Sequence, residues 1–446
     1  MKLIKDYIDE LKNDDNIDPA LYVKYNVKRG LRNLDGSGVL VGLTRVGEVH
    51  GYVLNEGEKQ SVEGKLFYRG FDVEDIVKNA AADGRYGFEE SVFLLLFGRQ
   101  PGKQELDSFT ELISSYRELP KGFVEDSIMK MPSRDIMNQL AQSVLTLYSY
   151  DETPDDLSPE NVLRQCLELI ARFPSIAAYS YRTKRHYFDG NSLVLHKIDS
   201  EQATAESILS LMRHDQQFTR LEAETLDLAL TLHAEHGGGN NSTFSVHLVS
   251  STDTDTYSAI SAGLASLKGF KHGGANAKVM GMMEDIKANV RHWDSEAELS
   301  DYLVKLAKGE AYDHTGLIYG LGHAVYTLSD PRAVLLSAKA EILAQEKKYY
   351  DEYHLYKLIE KIGPEIIKNV KGISKDICAN VDLYSGFVYK MLDIPPELYT
   401  PLFAVSRVAG WCAHRLEEVI SGGRIVRPAY KCVQPHQKYV PLNERV

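Results

Sequence analysis

Cysteine is scarce in this chain: four cysteines occur among 446 residues, and no two of them form a CxxC pair. The sequence therefore predicts neither a zinc ribbon nor a redox motif. So few cysteines in so long a chain fit a reducing compartment better than a disulfide scaffold, and we expect a cytoplasmic protein.

Long apolar runs are also missing. No stretch approaches about 18 uninterrupted apolar residues, the length that a membrane-spanning helix needs. The opening residues MKLIKDYIDELKNDD soon turn acidic and lack an apolar centre, so they do not resemble a secretory signal. A net charge of −12 disfavours nucleic acid and anionic membranes as partners. Anionic substrates would therefore require cationic side chains to be concentrated locally.

Helix signals, by contrast, run through most of the sequence. Thr219 and Glu222 form a capping box before LEAETLDLALTLHAEH, and Ser295 with Glu298 repeats it. Asp330 is an N-cap followed by proline at the first helical position. A further helix, PLFAVSRVAGWCAHRLEEVI, ends at a Ser-Gly-Gly sequence.

One region near the start is typical of β structure. Residues 39–53 are rich in valine and glycine, which favours short strands or a hairpin. The following GKLFYRGFDVEDI predicts a loop or short strand running into a helix. We therefore expect a mainly α fold with a small N-terminal β element, and a chain of this length suggests two or three domains.

Histidines cluster in one fifth of the chain, between His233 and His323. The spacing of His233 and His236 puts both rings on one helical face, which could suit a metal. The segment is not HExxH and no third ligand stands at a recognisable spacing, so we expect no metal. A histidine at a helix end, beside glycines that leave room for a ligand, is the better interpretation.

Two further histidines lie beside glycines. His272 precedes two glycines and a new helical pattern, and a helix N-terminus would keep it a neutral donor for an oxyanion. A capping histidine without chemistry explains that pattern equally well. His323 follows a Gly-x-Gly sequence that lacks the third glycine of a nucleotide loop, because Val325 stands there. What remains is a glycine-lined loop that presents a histidine, with Arg332 nine residues later.

Two charged residues stand among apolar neighbours. Asp382 in NVDLYSG is more often structural in such a setting, but it could be a general base if partly desolvated. Arg407 lies in the middle of a predicted helix, where it needs an anion from the protein or a ligand.

Taken together, HAEHGGGN, the turn at His272, GLGHAV with DPR, NVDLYSG, SRVAG and RIVRP resemble the citrate synthase family in order and spacing. The resemblance covers residues 230–430 and extends more loosely upstream. It implies an acyltransferase that condenses acetyl-CoA with oxaloacetate and water to citrate and CoA, through an enol or enolate and citryl-CoA.

The resemblance also implies residue roles. Asp382 would remove a proton from the acetyl methyl group, and His272 would donate a hydrogen bond to the thioester oxygen. His323 would polarise the ketone of oxaloacetate and protonate the alkoxide that forms. Four side chains would hold the oxaloacetate carboxylates: His236, Arg332, Arg407 and, from a second subunit of a homodimer, Arg427.

Further expectations concern CoA and the domains. The family often carries basic residues at the positions of Ala324 and Thr327, so the phosphates of CoA need another partner, for which Arg182 is a candidate. Acetyl-CoA would be a cosubstrate, with no permanently bound cofactor.

The large domain would comprise residues 1–274 and 390–446. Residues 275–389 would form a small domain, which closes over oxaloacetate and excludes water.

Three alternatives stay open. A 2-methylcitrate synthase would use propionyl-CoA, and one methylene is worth only about 1–3 kcal/mol in an apolar pocket. A citryl-CoA lyase would use related residues for cleavage, normally with an activating domain or partner. A non-catalytic helical scaffold is disfavoured by the presence of all the proposed catalytic residues.

Overall fold

The computed structural model describes residues 4–14, 16–33, 37–55 and 58–445. It divides into two compact units, residues 1–44 and residues 45–446. The first unit contains two short helices, α1 (Ile4–Asp14) and α2 (Pro19–Lys24), and a 3-10 turn at Arg29–Leu31. The first and last residues of the predicted domains, Met1 and Val446, lie outside the described residues.

The second unit begins with a small antiparallel sheet. Its strands pair in the order β1 (Gly47–Asn55), β2 (Glu58–Tyr68) and β3 (Phe71–Asp72). The predicted β region over 39–53 is therefore right only in its second half, since no strand covers 39–46 among the described residues. The segment predicted as a loop or short strand running into a helix supplies the end of β2, the short strand β3 and the start of the next helix, as predicted.

In the described chain, α-helices make up most of the rest of this unit, with a π-helix at Val124–Met129 and 3-10 turns at Tyr148–Tyr150, Pro396–Leu398 and Leu442–Glu444. Nine of them precede residue 274: α3 (Val73–Ala82), α4 (Phe88–Phe97), α5 (Lys103–Ser115), α6 (Ile136–Leu147), α7 (Pro159–Asp189), α8 (Thr204–Met212), α9 (Arg220–His233), α10 (Asn241–Ser250) and α11 (Thr256–Leu267). The others in the described chain are α12 (Ala275–Asn289), α13 (Glu296–Lys308), α14 (Pro331–Lys347), α15 (Tyr350–Lys371), α16 (Asp382–Met391) and α17 (Tyr399–Ser421). The predicted mainly α fold with a small β element is confirmed.

Local signals predicted several helix ends correctly. Thr219 and Glu222 form the capping box of α9. The side chains of Ser295 and Asp330 accept backbone N–H groups at the starts of α13 and α14. In α13 the box is only half formed, because the Glu298 carboxylate accepts from two preceding backbone groups instead. Among the described helices, none is long and apolar enough to cross a bilayer.

The sheet supports the loop that connects His323 to α14. A Cβ atom at Gly64 would collide with the carbonyl oxygen of Ser329, so only glycine lets β2 approach this closely. The backbone N–H of Gly64 donates to Ser329 Oγ at 3.1 Å, and the Tyr326 hydroxyl donates to the Lys65 carbonyl at 3.3 Å. The sheet therefore holds the segment between His323 and α14.

Candidate active site

Two loops that lie far apart in the sequence pair through their backbones. The N–H of Gly322 donates to the carbonyl of Cys378 at 2.7 Å, and that of Asn380 donates to the carbonyl of Gly320 at 2.9 Å. The Asn380 side chain also donates to the Gly322 carbonyl at 2.8 Å. This pairing brings the loop of His323 beside the N-terminus of α16, where Asp382 is the first residue.

The paired loops form one wall of a partly open cavity of about 180 Å³. Helices α9, α11, α12, α14, α16 and α17 and the turns next to them supply the other walls. The lining side chains that can take part in acid–base chemistry or hydrogen bonding are histidines, arginines, one carboxylate, several hydroxyls and several amides. They are His233, His236, His272, His323, Arg332, Arg407, Asp382, Ser385, Tyr389, Tyr399, Thr400, Asn240, Asn276 and Asn380.

The tautomer of His323 is fixed by its surroundings. Its Nδ1 atom accepts the backbone N–H groups of Val325 at 3.1 Å and Tyr326 at 3.0 Å. In the neutral ring the proton therefore lies on Nε2, which is left for a ligand. Burial lowers the pKa of His323 to about 4, and the charge of Arg332 acts in the same direction. His323 is thus a neutral hydrogen-bond donor at physiological pH.

Asp382 is the carboxylate of the cavity. Its side chain makes no hydrogen bond to any residue in the described part of the chain, whereas its backbone N–H donates to Asn380 Oδ1 at 3.0 Å. Burial raises the pKa of Asp382 to about 6, although the charge of Arg332 opposes the shift. An unpartnered carboxylate with a raised pKa is suited to accept a proton near neutral pH.

His272 precedes α12, as the sequence predicts. Its Nε2 atom lies 3.1 Å from Ser242 Oγ. Burial lowers the pKa of His272 to about 4, with a further contribution from the charge of Arg407. The neutral ring that the sequence predicts at this position therefore has burial as its main cause.

His236 lies beyond the end of its helix. The sequence predicts that His233 and His236 share one helical face, but α9 ends at His233. The carbonyl of Ala234 accepts a hydrogen bond from Gly410 in α17, which draws the chain out of the helix. The His236 ring lies 5.2 Å from the His323 ring at an angle of 87°, and its Nε2 atom has no partner among the described residues. Burial keeps the pKa of His236 well below its ordinary value.

The two cavity arginines differ in their partners. Arg332 donates from Nε and Nη2 to the two oxygens of Asp330, at 3.0 and 2.7 Å. Arg407 is fully buried and donates from Nε to the His233 carbonyl at 2.7 Å. Its Nη1 and Nη2 atoms have no partner in the described chain. Burial lowers the pKa of Arg407 to about 10, which leaves it cationic at neutral pH.

The structure therefore brings six of the eight predicted site residues to one cavity: His236, His272, His323, Arg332, Asp382 and Arg407. Arg182 lines a different surface cavity, where it donates to the Met212 carbonyl at 2.6 Å. Arg427 lies in the exposed C-terminal segment that follows α17. Their predicted roles stay predictions.

Sequence reasoning missed the side chains that support these groups. Ser242 contacts His272, and Asn276 donates to Ser385 Oγ at 2.5 Å on the cavity wall. Tyr389, on the same face of α16 as Asp382 and Ser385, is almost fully buried and also lines the cavity. Asn276 and Ser385 lie inside motifs that the sequence singled out, so proximity to those motifs was the available signal.

The HxxH spacing of His233 and His236 could suit a bound metal. Within the described ranges, no three His, Cys, Asp or Glu side chains are grouped as a metal site would need. The Nδ1 atom of His233 instead donates to the carbonyl of Ala229 at 2.6 Å.

A carboxylate, neutral imidazole donors and buried guanidinium groups around one cavity are typical of an enzyme and suit acid–base chemistry on an anionic substrate. The family model "Citrate synthase, C-terminal domain" matches residues 34–429. The chain belongs to the citrate synthase family.

Individual relatives agree with this family. A citrate synthase of Haloferax volcanii is 34% identical over 426 residues, covering 94% of this chain and 99% of the relative. A 2-methylcitrate synthase of Corynebacterium glutamicum is 32% identical and covers 85% of this chain and 92% of its own. The solved ternary complex of Thermoplasma acidophilum citrate synthase with carboxymethyl coenzyme A and oxaloacetate has a TM-score of 0.75 at 29% identity. It covers 94% of this chain and 99% of that one.

Proposed function

We propose that the cavity condenses acetyl-CoA with oxaloacetate and then hydrolyses the citryl thioester to citrate and CoA. One observation carries the proposal: Asp382, a carboxylate without a hydrogen-bond partner among the described residues, shares one cavity with neutral imidazoles and with the open guanidinium of Arg407. In this assignment Asp382 takes a proton from the acetyl methyl group. No aspartate can deprotonate a thioester unaided, because each unit of pKa mismatch costs about 1.4 kcal/mol.

Stabilisation of the enolate is assigned to His272. A fixed donor aimed at the enolate oxygen contributes roughly 3–4 kcal/mol. Ser242 Oγ lies 2.8 Å from Asn240 Oδ1 and 3.1 Å from His272 Nε2, so its one hydroxyl proton can serve either group. When Ser242 donates to Nε2, the proton of the neutral ring lies on Nδ1, which then donates to the thioester oxygen.

The remaining groups suit oxaloacetate. The two free guanidinium nitrogens of Arg407 match the two oxygens of a carboxylate, and His236 offers an unpartnered Nε2 atom nearby. The Nε2–H of His323 is assigned to the ketone oxygen, which becomes an alkoxide as the new carbon–carbon bond forms. Arg332 adds positive charge to the same region while Asp330 holds its orientation.

The size of the cavity indicates which parts of the two substrates it can hold. Pockets for ligands of drug size measure roughly 300–1,000 Å³. At about 180 Å³ this cavity suits a four-carbon dicarboxylate and the end of an acyl group, so the nucleotide of CoA would lie outside it.

Arg182 is still proposed as a phosphate contact, and Arg427 as a carboxylate ligand from the second subunit of a cytoplasmic homodimer. The small domain at residues 275–389 is likewise part of the proposal.

Release of free CoA thiol tests the function directly. The assay compares acetyl-CoA and propionyl-CoA, each with and without oxaloacetate. We expect release that depends on oxaloacetate and has a higher kcat/KM with acetyl-CoA. Faster reaction with propionyl-CoA would make the chain a 2-methylcitrate synthase, and no release from folded protein would contradict both activities.

The pH dependence of kcat/KM should follow the ionisation of Asp382. The carboxylate is active only when ionised, and its pKa of about 6 means that the ionised fraction grows as the pH rises through that value. We expect kcat/KM to be about tenfold lower at pH 5 than at pH 7. His272 and His323 stay neutral across this range because their pKa values are about 4. A flat profile in protein that keeps its circular dichroism would contradict the assignment of Asp382 as the base.

A further inference from the structure

Helix α17 contacts the segment after α9 along one face. Residues 407, 410 and 414 lie on the same side of a helix because they are three and seven positions apart. Each makes one contact with a successive residue of the segment: Arg407 Nε with the His233 carbonyl at 2.7 Å, Gly410 N–H with the Ala234 carbonyl at 3.1 Å, and His414 Nε2 with Glu235 Oε1 at 3.1 Å. Arg407 lines the cavity and is the proposed ligand of oxaloacetate, whereas Gly410 and His414 are not among the lining residues.

Glu235 is a fully buried carboxylate that the proposed reaction does not use. Its Oε1 atom accepts the backbone N–H of Gly237 at 2.5 Å as well as the His414 contact. Its Oε2 atom has no partner among the described residues. Burial raises the pKa of Glu235, but the charges of His414 and Arg407 outweigh burial and lower it overall. Glu235 is therefore an anion with one oxygen free.

Arg407 and Glu235 have opposite charges and open hydrogen-bonding positions, yet they form no ion pair. Glu235 is the carboxylate that acts most strongly on the Arg407 guanidinium through space. No contact within 4.0 Å joins the two side chains in the described part of the structure, and Nη1, Nη2 and Oε2 are all unpartnered. A buried cation and a buried anion would ordinarily pair directly. The side chain that contacts the Glu235 carboxylate instead, at Oε1, is His414.

The His414 ring supplies that contact, and it is held on both edges. Its Nδ1 atom lies 2.9 Å from His247 Nε2 in α10, and His247 Nδ1 lies 3.3 Å from Glu418 Oε2. Glu417 Oε2 lies 3.9 Å from the same Nδ1 atom. Because the ring is fixed from both sides, its Nε2 atom keeps Glu235 Oε1 in place.

We infer that His414 is a positioning residue for oxaloacetate: it retains the Glu235 carboxylate and so keeps the guanidinium of Arg407 open for the substrate carboxylate. The inference rests on the proposed function. After His414, Arg407 is the cation whose charge acts most strongly on Glu235, so without the His414 contact the two would pair. The substrate would then compete with a carboxylate of the protein, and only the fraction of molecules with Arg407 open would bind it.

Two amides at position 414 test the inference. An asparagine amide reaches about as far as the Nδ1 atom of histidine, whereas a glutamine amide reaches the Nε2 position that contacts Glu235. We expect His414→Asn to raise the dissociation constant of oxaloacetate about tenfold or more. His414→Gln should stay within about threefold of the wild type. Calorimetry with oxaloacetate alone measures both variants of the full chain.

A second substitution separates positioning from a structural defect. Glu235→Gln in the His414→Asn background removes the competing carboxylate, so oxaloacetate binding should recover to within about threefold of the wild type. A structural role predicts no recovery in the double variant. Equal affinities of the two amide variants, or a double variant as weak as His414→Asn, overturn the inference. If the wild type itself does not bind oxaloacetate, the proposed function fails first and the inference fails with it.

Discussion

Replacing Asp382 with glycine should lower kcat for condensation about 10³-fold while oxaloacetate binds nearly as before. General bases typically contribute 10²–10⁴-fold to an enzymatic rate. The Asp382 carboxylate holds no other side chain in place, since it forms no hydrogen bond to the described residues, and its raised pKa shows that burying its charge is unfavourable. Its loss should therefore affect proton transfer and leave the fold and the arginines intact. Stopped assays of thiol release and calorimetry with oxaloacetate measure the two effects separately.

Asp382→Asn is the matched control for the helix. Glycine at the start of α16 costs up to about 1 kcal/mol of helix stability, and asparagine removes the charge with little change in shape. Both variants should lose condensation to a similar extent. Loss of oxaloacetate binding or of folding in the asparagine variant would show that Asp382 is structural, the alternative that the sequence alone left open.

Replacing Arg407 with leucine should weaken oxaloacetate binding about 10²–10³-fold. The guanidinium offers two unpartnered nitrogens to a carboxylate, and truncating one partner of a buried charge pair typically costs 2–5 kcal/mol. Burial disfavours the charge of Arg407 and lowers its pKa to about 10, whereas the hydrogen bond to the His233 carbonyl and the attraction to Glu235 favour it, so we expect only a modest fall in the melting temperature of the free enzyme. Calorimetry and thermal unfolding of the same sample test both statements.

Two companion variants sharpen this result. Arg407→Lys keeps the charge but loses the planar pair of donors, so we expect an intermediate affinity. Arg415→Leu removes another fully buried arginine of α17 that does not line the cavity, and it should leave oxaloacetate binding unchanged. Normal affinity in Arg407→Leu would remove Arg407 from the site, and equal losses in both leucine variants would indicate a general defect of the helix.

Much of the fold could be predicted because its signals are local. The capping box of α9 and the N-cap of α14 each depend on residues within four positions, and the structure has both. The sequence predicts the strands too early, because valine and glycine content does not reveal which residues find a pairing partner. That choice depends on the register between β1 and β2, a tertiary property.

The supporting side chains of the site could not be predicted for a similar reason. His272 and Asp382 stand in short motifs, whereas the partners that orient such residues come from other elements. Glu235 and His414 are 179 positions apart, and His272 and Ser242 are 30 apart. Neither pair has a spacing that periodicity could detect. The cause of the low pKa of His272 was missed as well, because burial is a property of the whole fold.

The pairing of the loop at 320–322 with the loop at 378–380 couples the movements of His323 and Asp382. Two main-chain hydrogen bonds, at 2.7 and 2.9 Å, join the loop of His323, which is proposed to polarise the ketone, to the loop before Asp382, which is proposed to remove the methyl proton. A movement that displaces one therefore displaces the other. In the proposed reaction the carbanion forms only where its electrophile is already activated, which shortens its lifetime before capture. In that proposed reaction, protection of the short-lived intermediate would come from the backbone rather than from the reacting side chains.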